Sequence, residues 1–253
     1  MMDSLWVALA TYSRIPVPRG EWTRESLRYS LCFFPLVGVA VGALELGWLY
    51  LAARLGFGAL LTGAVGCLVP LAVTGGIHMD GFMDTLDALS SRRSREEMLR
   101  ILKDSHAGAF AVMGCALYLI LSAAALSEMS FKASVVLSAG FVLSRALSAF
   151  CVAFLPAARA DGMAASVKNA AERRGASAVM TWSIGWITVF AAAMLLYAPL
   201  LSLVALGWAA VVVAWYLGVT RRFGGVTGDL AGWFLQVCEL GFMLTLSIGG
   251  RYL

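Results

Sequence analysis

This chain is short of charge. Asp, Glu, Lys and Arg make up 13% of its 253 residues and 60% are hydrophobic, whereas about a quarter of a soluble domain is charged. The shortage excludes a soluble globular protein and leaves a polytopic membrane protein, its length suited to one domain over residues 1–253. Histidine is scarce, and the five cysteines (Cys32, Cys67, Cys115, Cys151, Cys238) stand singly in apolar runs without a CxxC pair. They read as small core residues, with neither disulfides nor metal ligation implied. The sequence shows no internal repeat, low-complexity tract or interdomain linker. The apolar start at residues 1–10 has no basic stretch ahead of it, so it does not read as a cleavable signal peptide. The bilayer is an expected partner, and nucleic acid is not.

What the chain has instead is a series of apolar runs of about 20 residues, the length that crosses hydrocarbon. They fall at 31–53, 59–77, 108–126, 133–155, 178–197, 200–218 and 230–249. This predicts an all-α bundle of seven transmembrane helices. Six is the alternative, because Gln236, Glu239 and Gly241 interrupt the last run. Residues 1–30 predict an interfacial helix, a turn at Ile15-Pro16-Val17-Pro18, and a second interfacial helix capped near Thr23. Two polar segments, 78–107 and 156–177, are long enough for soluble-phase chemistry. The first reads as a helix, a turn near Ser90-Ser91, and a further helix from Ser94, whose spacing to Glu97 is that of a capping box.

The few charges are unevenly placed. With a cytoplasmic N-terminus, the inside segments hold Arg14, Arg19, Arg24, Arg28, Arg92, Arg93, Arg95, Arg100, Lys103, Arg159, Lys168, Arg173, Arg174, Arg221 and Arg222, which is 15 of the 19 basic residues. Arg54, Lys132 and Arg251 fall outside, and Arg145 lies within a span. This is the positive-inside pattern, and it puts both polar segments in the cytoplasm.

The stretch from Gly75 to Asp87 carries three carboxylates, Asp80, Asp84 and Asp87, at i, i+4 and i+7. At about 100° per residue they share a helix arc of about 60°. Three like charges on one face repel, which calls for a cation. Oxygen-only ligands suit Mg²⁺ or Mn²⁺ rather than zinc. The plainer reading is a solvated acidic helix end outside the membrane. Lys103-Asp104-Ser105-His106-Ala107-Gly108, where the chain re-enters the membrane, offers a phosphate contact and a fourth carboxylate. Arg145, mid-span, needs a partner: Glu239, Glu45 or an anionic substrate. Gly224-Gly225-Val226-Thr227-Gly228-Asp229 is a turn whose amides could converge on an anion, with Asp229 either joining the metal site or capping the helix that follows. Glu45 has no motif around it and reads as protonated or paired. His78 is a candidate substrate contact, with packing as its plainer reading. Together these groups fit a Mg²⁺-dependent displacement at phosphorus by a phosphotransferase or prenyltransferase at the membrane surface.

Thr74 to Asp87, Lys103 to Gly108, Ser144-Arg145, Gly224 to Asp229 and Glu239, with Ser13 to Pro18 and Phe34-Pro35-Leu36-Val37-Gly38, resemble the ordered motifs of the cobalamin synthase family, the adenosylcobinamide-GDP ribazoletransferases. The resemblance spans nearly the whole chain and implies a multi-pass enzyme of the bacterial or archaeal cytoplasmic membrane. A hydroxyl of α-ribazole, or of its 5′-phosphate, would attack the cobinamide-side phosphorus of adenosylcobinamide-GDP and release GMP. Asp80, Asp84 and Asp87 would hold the metal, with Asp104 and Asp229 completing the shell or acting as base. Lys103 and Arg145 would hold the pyrophosphate, and His78, Ser105, Gly225, Thr227, Gly228 and Glu239 would complete the substrate contacts. Assembly as a homo-oligomer or with other enzymes of cobalamin synthesis is compatible with it. His106 stands where that family usually has Arg, which weakens one phosphate contact and leaves the carboxylates untouched.

Three rival readings are weaker. A CDP-alcohol phosphotransferase would carry D-x-x-D-G-x-x-A-R, whereas the order here is D-G-x-x-D-x-x-D. An aspartate-rich prenyltransferase would need a second acidic motif, where only Asp229 stands. A transporter would show matching halves with broken helices, and the sequence has none.

Overall fold

The structure, a computed structural model, describes residues 2–18, 20–159 and 172–253, with the backbone alone at 172–174. The basic residues Arg19 and Lys168 and the side chains of Arg173 and Arg174 lie outside the described residues, as does the middle of the second polar segment. Among the described residues ten helices run in order: α1 (Met2–Tyr12), α2 (Arg24–Leu55), α3 (Ala59–Thr74), α4 (Ile77–Ser90), α5 (Arg95–Ile101), α6 (Ala109–Ser127), α7 (Phe131–Phe154), α8 (Glu172–Tyr197), α9 (Pro199–Phe223) and α10 (Gly228–Tyr252). Among the described residues the only β pairing is an isolated bridge between Ala157 and Val226.

Among the described residues six helices, α2 and α6 to α10, are long and apolar enough to cross a membrane, and the bent pair α3–α4 makes a seventh if it is counted as one span. This is a multi-pass membrane protein. At 1.5 Å per residue, the 16 residues of α3 reach about 24 Å, short of the hydrocarbon thickness of about 30 Å. Connectivity still requires α3 to cross. It begins beside the end of α2, where Trp48 Nε1 donates to Thr62 O at 2.8 Å. It ends beside Arg14, whose backbone N–H donates to Val73 O at 2.7 Å, on the side where α6 starts. The second span thus stops at Thr74, three residues before its expected end. Gly75 and Gly76 are the cause, with φ of 66° and 79°. Two successive left-handed residues are cheap only for glycine, and they turn α4 by 98° from α3. Rather than continuing across, α4 lies over the end of the bundle, packed on α6 and α10.

The N-terminal region differs from expectation. Thr23 does cap a helix, its side chain accepting from Ser26 N while Ser26 Oγ accepts from Thr23 N. That helix runs unbroken to Leu55, so the second interfacial helix and the first span are one element. Pro35 lies inside it, among residues buried against α7. Helix α1 packs on α2, with the Tyr12 ring tilted against Phe34 at a centroid distance of 4.5 Å. The Ser94 cap of α5 also forms only in half. Ser94 Oγ accepts from Glu97 N, but the Glu97 carboxylate turns to Arg93 at 3.0 Å and Arg100 at 2.7 Å.

Helix α7 is the centre of the bundle, contacting α2, α8 and α10. Gly38 and Gly42 of α2 lie against it, and a Cβ on either would run into the carbonyls of Phe141 or Ser138. Their four-residue spacing is the small-residue device that brings helix backbones together in lipid. The five cysteines are free and four are buried, as expected of core residues.

Candidate active site

The site forms where α4 crosses the first turn of α10. Gly81 makes this possible, since a Cβ there would come within 2.8 Å of the Asp229 backbone. Asp80 directly precedes that contact and Asp84 follows it by about one turn, so both carboxylates lie close to Asp229. Repulsion registers at Asp84. Partial burial, then the charges of Asp80, Asp229, Asp87 and Asp104, push its carboxyl up to about 6. Among the described residues, no hydrogen bond or ion pair neutralises Asp80 or Asp84. Asp104 lies at the edge, exposed. Its Oδ1 accepts from His106 N at 3.0 Å and meets His106 Nδ1 at 2.8 Å, which holds its carboxyl below the usual range.

Asp87 departs from its expected role as a metal ligand. One of its oxygens accepts from Gly108 N at 2.6 Å and the other from Ala111 N at 2.9 Å. Gly108 is the N-cap of α6 and has no side chain to close the helix end, so Asp87 caps α6 from another helix and faces its positive end. At α10 the reverse holds. Thr227, not Asp229, is the cap, accepting from Leu230 N at 3.1 Å, which leaves the Asp229 carboxylate directed at the site.

As placed, no three His, Cys, Asp or Glu side chains among the described residues form a closed metal cage. The donor set nevertheless fits a hard divalent cation. Mg²⁺ is commonly held by one or two carboxylates, with substrate phosphates and water completing its shell. Asp80, Asp84 and Asp229 offer oxygen ligands with surplus negative charge.

Arg145 and Glu239, expected at the substrate, are instead paired inside the bundle. Arg145 Nη1 lies 2.5 Å from Glu239 Oε1, with side chains 1% and 3% exposed. Ser144 Oγ donates to the same oxygen at 2.9 Å, and Arg145 also donates to Phe141 O at 2.9 Å. The pair joins α7 to α10 in the core, away from solvent. Glu45 is equally buried, against Gly66, and has no described partner. His78 is buried too, its ring 5.6 Å from Phe34 and its backbone against Gly232. Burial and the nearby Arg145 charge both disfavour its protonated form. Packing therefore describes His78 better than substrate contact.

Of the remaining expected contacts, Lys103, Ser105 and Gly228 are exposed at this end of the bundle. Gly225 and Thr227 are buried and shape the turn: Gly225, at φ 146°, donates to Thr220 O at 2.8 Å. Three features escaped the sequence reading. Arg159 Nη2 lies 3.4 Å from Asp229 Oδ2. Arg14 lies flat over Gly75 at the bend. An open groove of about 680 Å³ runs along the bend, lined by Leu68, Leu71, Met79 and Met83, with Asp80 at its polar edge. The basic charge of Arg14 and Arg159 was visible, but its proximity to carboxylates distant in sequence was not.

Comparison with known proteins covers nearly the whole chain. Residues 4–247 match the family model described as cobalamin-5-phosphate synthase. The adenosylcobinamide-GDP ribazoletransferase of Lachnoclostridium phytofermentans is 39% identical over 240 residues, covering 94% of this chain and 91% of that one. The protein of the same name from Desulfitobacterium hafniense is 33% identical over 257 residues, covering 96% of each. That from Escherichia coli O17:K52:H18 is 30% identical, covering 97% of this chain and all of that one. No solved structure matches.

Proposed function

Since the chain belongs to the cobalamin-5-phosphate synthase family, we propose that it transfers the adenosylcobinamide-phosphate group from adenosylcobinamide-GDP to a hydroxyl of α-ribazole or α-ribazole 5′-phosphate. The bond formed joins that hydroxyl oxygen to the cobinamide-side phosphorus. The bond broken is the bridge to GMP, which leaves. The observation that carries this reading is the meeting of Asp80 and Asp84 with Asp229 at one end of a membrane bundle. A divalent cation, Mg²⁺ or Mn²⁺, held by these three would supply charge neutralisation for the pyrophosphate.

The protein's own residues do the rest. Asp104, exposed at the edge and outside the three carboxylates that would hold the cation, takes the proton that the attacking hydroxyl loses. Lys103, Ser105 and Gly228 line the open side, where a nucleotide can enter from water. The groove at the α3–α4 bend, apolar except for Asp80, gives a bulky amphipathic substrate a seat at the membrane surface. The enzyme belongs in the cytoplasmic membrane with this end facing the cytoplasm. The described basic residues Arg92, Arg93, Arg95, Arg221 and Arg222 all lie at the site end, and Arg54, Lys132 and Arg251 at the other.

The test is GMP release from adenosylcobinamide-GDP by the full chain in liposomes. Release that needs both α-ribazole (or its phosphate) and Mg²⁺ is the expected result. No release from well-folded protein with either acceptor would overturn the reading.

A further inference from the structure

With Arg145 buried against Glu239, a cation expected at the pyrophosphate has no access to it. Another arginine stands in the open site. Arg159 follows α7 at the end of a short extended segment that is built into place from three sides. Ala158 N donates to Val226 O at 3.0 Å and Val226 N to Pro156 O at 2.8 Å, a two-bond bridge between this segment and the turn before α10. Gly225 has no Cβ because Pro156 O and Ala158 N occupy that space. Arg95 of α5 lies over Gly224 and donates to Phe223 O at 2.9 Å and Ala158 O at 3.4 Å, fastening both strands of the bridge. The position of residue 159 is thereby fixed relative to Asp229.

The guanidinium itself is under-used. Its side chain is 15% exposed, and its single described acceptor is Asp229 Oδ2, at a long 3.4 Å. Nε is buried and meets no acceptor among the described residues. A desolvated guanidinium with five donors ordinarily satisfies more of them, and its planar fork matches two oxygens of a phosphate. An anion beside Asp229 would meet these donors, and Asp80, Asp84 and Asp229 are the carboxylates proposed above to carry the metal that a pyrophosphate bridges.

We propose that Arg159 holds the pyrophosphate of the nucleoside-diphosphate substrate, the place that Arg145 has in a reading of the sequence alone. The inference rests on the functional reading given above. Arg159 contacts a bridging or terminal phosphate oxygen with its fork, and Arg95 is a positioning residue that acts through the backbone of Ala158.

The test uses the full chain in liposomes and two probes, GDP with Mg²⁺ for direct binding and adenosylcobinamide-GDP for kinetics. Arg159→Gln is expected to weaken GDP binding and to raise the KM for adenosylcobinamide-GDP by about tenfold or more, with the KM for α-ribazole changed less than about threefold. Arg159→Lys keeps the charge and the Asp229 contact but loses the fork, and is expected to recover part of that loss. It also serves should the Gln variant fail to fold. Unchanged GDP affinity in either folded variant would overturn the proposal. So would a change confined to the Mg²⁺ half-saturation, which would make Arg159 a partner of Asp229 alone. The failure of the functional reading looks different: wild-type protein would release no GMP, while the GDP comparison between wild type and Arg159→Gln would still decide the role of Arg159.

Discussion

At the scale of the residue, the three aspartates of one helix face stand in two different surroundings, Asp80 and Asp84 beside Asp229 and Asp87 at the start of α6, and the role proposed for each is separately testable. Asp84 is crowded by four carboxylates, and its proton affinity in the fold exceeds that in the unfolded chain. The folded state therefore binds the proton that the unfolded state releases between its ordinary value near 3.8 and about 6. Without divalent cation, stability must fall as pH rises through that window, and the penalty persists above it. Asp84→Asn should remove this dependence. In EDTA above pH 6 it is expected to melt about 2–4 °C higher than wild type, allowing for solvent screening, while transfer activity falls by about 100-fold or more. A lower melting temperature in EDTA would show that the charge is compensated. Asp87 has the opposite expectation. Asp87→Ala deprives α6 of its cap and should cost about 1–2 kcal/mol in thermal or denaturant unfolding. Its Mg²⁺ half-saturation should move less than about twofold, since its oxygens face Gly108 and Ala111. A large shift in Mg²⁺ dependence would return Asp87 to the metal.

At the scale of the element, α4 and α10 form the site, and α7 holds α10 in register. The lock is the Arg145–Glu239 pair with Ser144. Removing one member leaves the other charged and buried, so Arg145→Met or Glu239→Leu should each cost about 3–5 kcal/mol, and the double variant clearly less than their sum. A double-mutant cycle on unfolding in detergent checks this. Additive losses would mean that the two groups do not depend on one another. The spacing of the carboxylates was legible in the sequence because a helix has a fixed period, and the α4 reading from the motif to Ser90 agrees with the structure. The helix bend was not placed there. Only the positive φ at both Gly75 and Gly76 turns the aspartate helix out of the line of α3.

At the scale of the whole molecule, counting the bent α3–α4 pair as one span makes seven crossings, which would put the N-terminus and the site on one side and the C-terminus on the other. In a variant without its native cysteines, His106→Cys should react with an impermeant thiol reagent only from the cytoplasmic face, and Arg54→Cys, which α3 separates from it, only from the opposite face. Labelling of both from one side would contradict the crossing of α3, which at 16 residues is the shortest span.

Hydropathy alone determined that this is a helical membrane protein, approximately where its spans lie, and which segments hold the polar chemistry, because crossing lipid demands about 20 apolar residues in each helix. Local period and residue type likewise marked Asp80, Asp84 and Asp87, with Asp229, as candidate site residues. The fate of each polar group was decided by the tertiary structure. Whether Asp87 meets a metal or a helix end depends on where α6 begins in space. Arg145 had three candidate partners, and the packing of α7 on α10 selected Glu239. Arg159 reaches Asp229, 70 residues further along the chain, only through a bridge that Gly225 and Arg95 make possible. Sequence fixes the period of a helix and the cost of placing a charge in lipid, but partners distant along the chain are chosen by packing.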